Sequence, residues 1–477
     1  MRSPAWARIS GGNKICTPRY PAHWKLRSFA LQRWAMTSSA TDADAPASAP
    51  KAPSPLAFVD YRYFWLARFT SVMATIAMVV VIGYQLYDTA RSDYGMSIGE
   101  ASFQLGLLGL FQFVPLALLT PVAGWAADRF ERRKVAIFSL CIDFLIALLL
   151  AWLTWKNGLT LPILFALGAL HGVARVFSGP ALSAIAPNIV PAAALPRAIA
   201  MSSIAWQSAS IVGPAAGGLI FAAHPASVYI FTASLLALAA LLLSRVRPVH
   251  PPANPARARP LVEMAEGLKF TWRERFLFAT ITLDLFAVIL SGATAMLPVF
   301  ARDILQTGSE GLGFLRAAPG VGAALVALML AFRPIENNVG VKMLWAVALF
   351  GAATTAFAYS TNVLLSLGLL AFIGAADMFS VFVRGSLIQL NTPDHMRGRV
   401  SAVSGLAISA SNELGEMRAG SMASVLGPVG AVAIGGVAAI GVTALWAWRF
   451  PELRRAKTFA PQPSFTSSLP AEEAHKI

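Results

Sequence analysis

GWAADRFERRKVAIFSLCIDFLIALLLAWLTW, residues 124–155, is the stretch whose reading decides the fold. It crowds two acids and four bases into residues 128–134, and then runs apolar to Trp155 with one charged residue, Asp143. About 20 apolar residues are enough for a helix to cross a bilayer. A membrane strand would be shorter and would alternate. The charged knot therefore reads as a short loop held at one membrane surface, where Lys and Arg accumulate.

Working outward, eleven more runs of this kind follow or precede it. The twelve lie at roughly 63–84, 103–127, 134–155, 162–184, 198–222, 226–244, 276–300, 312–333, 341–359, 363–388, 400–425 and 429–449. The chain is 56% hydrophobic and 13% charged, with a mean hydropathy of +0.62, whereas soluble domains carry about 25% charged residues. A water-soluble core for so much apolar surface would exceed what domains of this length build. The net charge of +15 is spread over short clusters between apolar runs. That pattern predicts lipid as the partner and excludes nucleic acid. The two cysteines, Cys16 and Cys141, give no disulfide framework and no metal-ligand spacing.

Loop charge sets the expected orientation. Even-numbered connections hold Arg129, Arg132, Arg133, Lys134, Arg197, Lys342, Arg397, Arg399 and the long basic stretch 245–275. Odd-numbered ones hold few bases: Arg91, Lys156, Arg302 and Arg316. Both termini are thus expected in the cytoplasm. Residues 1–57 are Arg- and Lys-containing and then Ala/Pro/Ser-rich, which predicts a disordered extension, with translation from Met36 as an alternative start. The expected organisation is a six-helix bundle over 58–244, a cytoplasmic linker over 245–275, a second bundle over 276–450 and a cytoplasmic tail over 451–477. The halves show a faint repeat. Aligning Pro191 with Pro393 also pairs Ser178 with Ser380, Arg197 with Arg399 and Gly213 with Gly415. Two six-helix halves related by an axis along the membrane normal are a transporter plan.

The loop Gly124-Trp-Ala-Ala-Asp128-Arg129-Phe-Glu131-Arg132-Arg133 resembles the G-x-x-x-D-R-x-G-R-R signature of the major facilitator superfamily, with Glu131 where Gly is usual. The resemblance covers about residues 58 to 455. It implies an all-α integral membrane fold of 12 transmembrane helices in two pseudo-symmetric halves, working as a monomer. It also implies that Gly124, Asp128, Arg129, Arg132 and Arg133 gate the cytoplasmic side by latching the halves together. In the fifth run, Gly213, Pro214, Gly217 and Gly218 resemble the GP-x-x-GG signature of proton-coupled exporters of that superfamily. Gly213 and Gly217 share a helix face and admit a close neighbour, and Pro214 removes a ladder hydrogen bond. The texture of VFVRGSLIQLNTPDHMRGRVSAVSGL, residues 381–406, is similar to siderophore and drug exporters of that superfamily.

Ionisable residues inside spanning helices are costly and read first as functional. The candidates for a proton and substrate site are Asp143, Arg175, Asp284 and Asp377. In the superfamily, helices 1, 4, 7 and 10 line the cavity, which implies that Arg68, Arg175, Asp284 and Asp377 lie near the substrate path. A carboxyl whose surroundings alternate can bind a proton on one side and release it on the other; the plain alternative for each is a static ion pair. Glu413 and Glu416 are expected to be structural, because helix 11 of that superfamily is peripheral, and Arg384 is expected near the cytoplasmic boundary. No P-loop, zincin or nucleophile-elbow motif occurs. The expectation is therefore a non-enzymatic, cofactor-free secondary transporter that exchanges protons for a small amphipathic molecule, siderophore or drug-like. Uptake by a symporter of the same fold, or a non-transporting scaffold or sensor, are the alternatives.

Overall fold

The computed structural model describes residues 53–249, 260–333 and 335–460, and among them the secondary structure is helical throughout, with no strand. Most of the N-terminal extension, residues 250–259 of the linker and the tail beyond 460 lie outside the described residues, as does the side chain of Asp128.

Among the described residues, eleven helices are long and apolar enough to cross a membrane. The last, Asp394–Arg449, has 56 residues. At 1.5 Å per residue that is about 84 Å, far more than one bilayer needs. It is two helices joined at Gly427, whose φ of 75° and ψ of 163° fall in a region open only to glycine. Pro428 then starts the next helix. Ten single helices and this pair make twelve crossings. They are numbered here as spans 1–12: Val59–Ser92, Ile98–Arg129, Arg132–Trp155, Leu161–Ile189, Leu195–Ala223, Pro225–Arg245, Arg275–Ile304, Gly308–Phe332, Val339–Ala358, Val363–Leu390, 394–426 and 428–449. The end carrying the 130–131 turn is called the basic face, and the opposite end the far face.

Local signals start and stop these helices. Span 2 begins with a capping box: Glu100 N–H donates to Ser97 Oγ at 3.2 Å, and Ser97 N–H donates to Glu100 Oε2 at 2.8 Å. At span 10, Leu365 N–H donates to Asn362 Oδ1 at 3.1 Å. Prolines 115, 121, 180, 187, 214 and 319 sit inside helices, as neighbouring spans allow. Span 7 is discontinuous. It breaks at Gly292, which is left-handed with φ of 51°, turns through a 3-10 segment and ends in a π turn at Phe300–Ile304. The 245–275 connection, read in the sequence only as a basic loop, carries a further helix at Pro260–Arg273.

The packing repeats between halves. Spans 1·5, 2·4, 3·4 and 3·6 are in contact, and so are their counterparts 7·11, 8·10, 9·10 and 9·12. The faint sequence repeat has a structural counterpart in this packing. An ideal Cβ on Gly213 would meet Met73 of span 1, and one on Gly415 would meet Val288 of span 7. The outer surface is apolar, with Phe138, Trp345, Leu364 and Val425 exposed, as a lipid-facing surface requires.

Two seams join the halves, span 2 against span 11 and span 5 against span 8. Both depend on glycine. An ideal Cβ on Gly420 would stand 2.6 Å from the Gly106 Cα, and one on Gly218 would stand 2.8 Å from the Gly313 Cα. Small residues at such crossings let backbones touch and gain dispersion contacts that lipid cannot replace. Leu at Gly420 would overpack the 2·11 seam by about 1–3 kcal/mol, and only while the seam is closed. In a chain with Cys16 and Cys141 replaced by Ser, a Val79→Cys label in the cavity between the halves is therefore expected to react faster from the far face when Gly420→Leu is present. An unchanged side preference would show that the seam does not open.

Candidate functional site between the halves

Between the halves, beside the discontinuity of span 7, lies a cavity of 260 Å³. Its wall takes Gln112 from span 2, Arg175 from span 4, Thr294 from the break in span 7, Arg316 from span 8, and Glu413 and Glu416 from span 11. Arg175 Nη1 donates to Gln112 Oε1 at 3.4 Å and lies 3.7 Å from Glu413 Oε1. Glu416 and Glu413 are the carboxylates whose charge acts on Arg316; Arg316 Nε is buried and has no hydrogen-bond partner among the described residues. Glycines make room for this cluster. Gly109 of span 2 lies under the Glu416 side chain, where a Cβ would come 2.8 Å from Glu416 Cβ. Gly172 of span 4 lets span 2 approach beside Gln112. The site holds two cations and two anions drawn from both halves, in a setting where charge is expensive to leave uncompensated.

Of the residues expected from sequence, Arg175 lies in this cavity. Asp143 does not. Its Oδ1 is 2.8 Å from His171 Nδ1, and both side chains are buried inside the first half. His171 and Arg175, four residues apart, turn to different environments. Asp284 forms an ion pair with Arg384 inside the second half. The Arg384 side chain is only 4% exposed and turns inward to Asp284 rather than outward to the surface. Asp377 lies beside Asp284 in a cleft of only 10 Å³ between spans 7, 9 and 10 and makes no ion pair among the described residues. Glu413 and Glu416 depart from the peripheral placement expected of helix 11, because span 11 packs against both span 2 and span 7. The sequence signals for the missed residues were Glu413 and Glu416 one turn apart on one face, and Gly292, which interrupts an apolar run.

Described side chains of the loop motif reach their own half. Arg133 Nη1 donates to the carbonyls of Val246 at 2.6 Å and Ser244 at 3.2 Å, closing the end of span 6. Arg132 Nη1 donates to the Ala184 carbonyl of span 4 at 3.2 Å. Arg129 sits 5.6 Å from the Trp125 ring. Glu131 has φ of −59°, so its position needs no glycine; it pairs with Arg133 at 3.0 Å and Lys134 at 3.3 Å. Gly124 has open space at its Cβ position. In span 5, Gly213 and Gly217 abut Met73 and Ala77 of span 1, while Pro214 and Gly218 abut Gly313 of span 8. Charge pairs between the halves occur at the far face. Arg91 lies 3.3 Å from Asp303, which also accepts from the Tyr87 hydroxyl, and Arg302 lies 3.2 Å from Asp88.

Twelve helices in two repeated halves, with a charged cavity between them, are the plan of a membrane transporter. A profile of the Major Facilitator Superfamily matches residues 64–416, and the chain belongs to that superfamily. It is 25% identical over 412 residues to the enterobactin exporter EntS of Escherichia coli O1:K1, covering 86% of this chain and 96% of that one. The EntS protein of Shigella boydii serotype 18 is also 25% identical, over 410 residues and with the same coverage. Among solved structures, a bacterial homologue of the human lysosomal transporter Spinster in an inward-facing, unoccupied conformation superimposes with a TM-score of 0.62. It has 14% identity, and the match covers 86% of this chain and 98% of that one. A D-xylose–proton symporter superimposes with a TM-score of 0.60 at 14% identity, over 84% and 98% of the two chains.

Proposed function

We propose that this transporter exports a small amphipathic molecule across the cytoplasmic membrane in exchange for protons. It acts as a monomer with both termini in the cytoplasm, and the cargo is siderophore or drug-like. The observation that carries this reading is the cavity between the halves, where Arg175, Arg316, Glu413 and Glu416 meet. These side chains stand on three helices, spans 4, 8 and 11, whose mutual distances change if one half rocks against the other. A carboxylate there can hold an arginine, a proton or a cationic group of a substrate, but one occupant weakens the others. That exclusion links the two fluxes.

Asp143 and Asp284, each engaged within one half, are better suited to holding helices in place. Asp377, which makes no ion pair among the described residues, is the remaining aspartate for proton traffic. The far-face pairs of Arg91 and Arg302 favour a state that loads from the basic face, which the loop charges put in the cytoplasm. The described arginines of the loop motif would brace the first half while Asp128 joins and releases the second. The pairing with relatives called enterobactin exporters supports export of a siderophore-like cargo.

The test is a dye, drug and siderophore panel in cells lacking and overproducing the protein, followed by inside-out vesicles. Acidifying the lumen of those vesicles is expected to drive accumulation of the exported compound. Proton-driven uptake into right-side-out vesicles would instead make it a symporter, and no movement of any compound would leave a scaffold.

A further inference from the structure

At the basic face, a chain of aromatic rings runs from the linker helix Pro260–Arg273 through the start of span 7 to Phe450 after span 12, in a patch that the transport reading does not use. Trp272 is 71% exposed and stands edge to face against Phe278 at 5.1 Å. Phe278 continues to Phe450 at 6.1 Å. The guanidinium groups of Arg275 and Arg449 each lie 5.7 Å from the Phe450 ring centre, and Arg275 Nη2 donates to the Arg449 carbonyl at 3.1 Å. Lys269 and Arg273 project one turn apart from the exposed side of the linker helix.

The acids nearby are largely engaged. Glu452 lies 3.3 Å from Arg275, and Glu266 lies 3.0 Å from Arg399. Glu274 is partly buried, and burial pushes its carboxyl up. Lys269, Arg273 and Arg449 make no ion pair among the described residues.

The position of this patch is set by the helices themselves. Arg273 is two residues before span 7 begins, and Arg449 is the last residue of span 12. The cations and Trp272 are therefore held at the bilayer surface. Aromatic rings at this depth sit among lipid headgroups, and basic side chains there attract anionic ones.

We propose that this patch is a binding site for an anionic phospholipid. Lys269, Arg273 and Arg449 hold its phosphate, and Trp272 stands at headgroup depth. The linker helix is also tied to span 11, through Glu266 to Arg399 and through Gly267, where a Cβ would meet the Arg399 carbonyl at 2.8 Å. A lipid in this seat restrains the segment that joins the two halves.

The test places the full chain in phosphatidylcholine bilayers and lets spin-labelled phosphatidylglycerol and spin-labelled phosphatidylcholine compete for its surface. The parent is expected to prefer the anionic lipid at least about fivefold, the factor equivalent to the ~1 kcal/mol gained by one basic side chain at a membrane. Lys269→Gln/Arg273→Gln/Arg449→Gln is expected to bring the preference close to one, and Trp272→Ala to lower it by less. Arg62→Gln/Arg245→Gln/Lys342→Gln removes the same charge from exposed positions elsewhere on the basic face and is expected to keep the preference. Equal loss in that control, full retention in the patch variant, or no preference in the parent would each overturn the site. Displacement of the lipid by inorganic phosphate would overturn the assignment to a membrane-held headgroup. None of these outcomes depends on the transported molecule, so the lipid site and the export reading fail separately.

Discussion

Replacing Glu413 and Glu416 together by Gln is expected to cut proton-driven efflux by about 5- to 150-fold, the range that coupling free energies of ~1–3 kcal/mol produce. Gln has nearly the shape of Glu and keeps a carbonyl oxygen that can accept a hydrogen bond, so the spans remain packed. What disappears is the negative charge between Arg175 and Arg316, and with it the ability of the pair to alternate between proton, arginine and cargo. Substrate binding measured in detergent is expected to survive better than transport. The pH dependence of efflux is expected to flatten. Each single Gln variant should fall between parent and double variant, because the two carboxylates share one cavity. The measurement is efflux in vesicles against an imposed pH gradient, with protein amount controlled. A double variant that still follows the gradient as the parent does would remove Glu413 and Glu416 from coupling.

Asp284→Ala is expected to act on stability. It would leave Arg384, whose side chain is 4% exposed, without its carboxylate inside the second half. Breaking a buried pair by removing one member costs about 3–5 kcal/mol, whereas replacing both members by apolar residues of similar size is often neutral. Thermal unfolding in detergent should therefore show a large drop for Asp284→Ala and substantial recovery for Asp284→Leu/Arg384→Met. If the double variant is stable and also transports, the pair serves packing alone. If it is stable and inert, Asp284 belongs to the transport path. A single variant as stable as the parent would contradict the pairing.

These two predictions separate residues that look alike in the chain. Asp143, Asp284, Asp377, Glu413 and Glu416 are all acids in apolar runs, and run length and depth cannot rank them. Depth follows from a fixed rise per residue, but the facing direction depends on what each helix packs against. Span 11 was expected at the periphery. It lies between the halves because Gly415 and Gly420 let it press on spans 7 and 2 at once. His171 and Arg175 share a helix face by spacing, yet one closes on Asp143 within the first half and the other on Glu413 across the cavity. The break at Gly292 was visible as a glycine in the seventh run, but its meaning required Thr294 to be seen in the cavity wall.

The sequence by itself determined the solvent, the number of crossings and the repeat. Each of these follows from local quantities: apolar length against bilayer thickness, and the clusters of Lys and Arg that mark the connections between runs. Only the tertiary structure decided which charges meet. A partner is chosen by distance between helices far apart in the chain, and the glycine seams that set those distances carry no side chain to announce their neighbours.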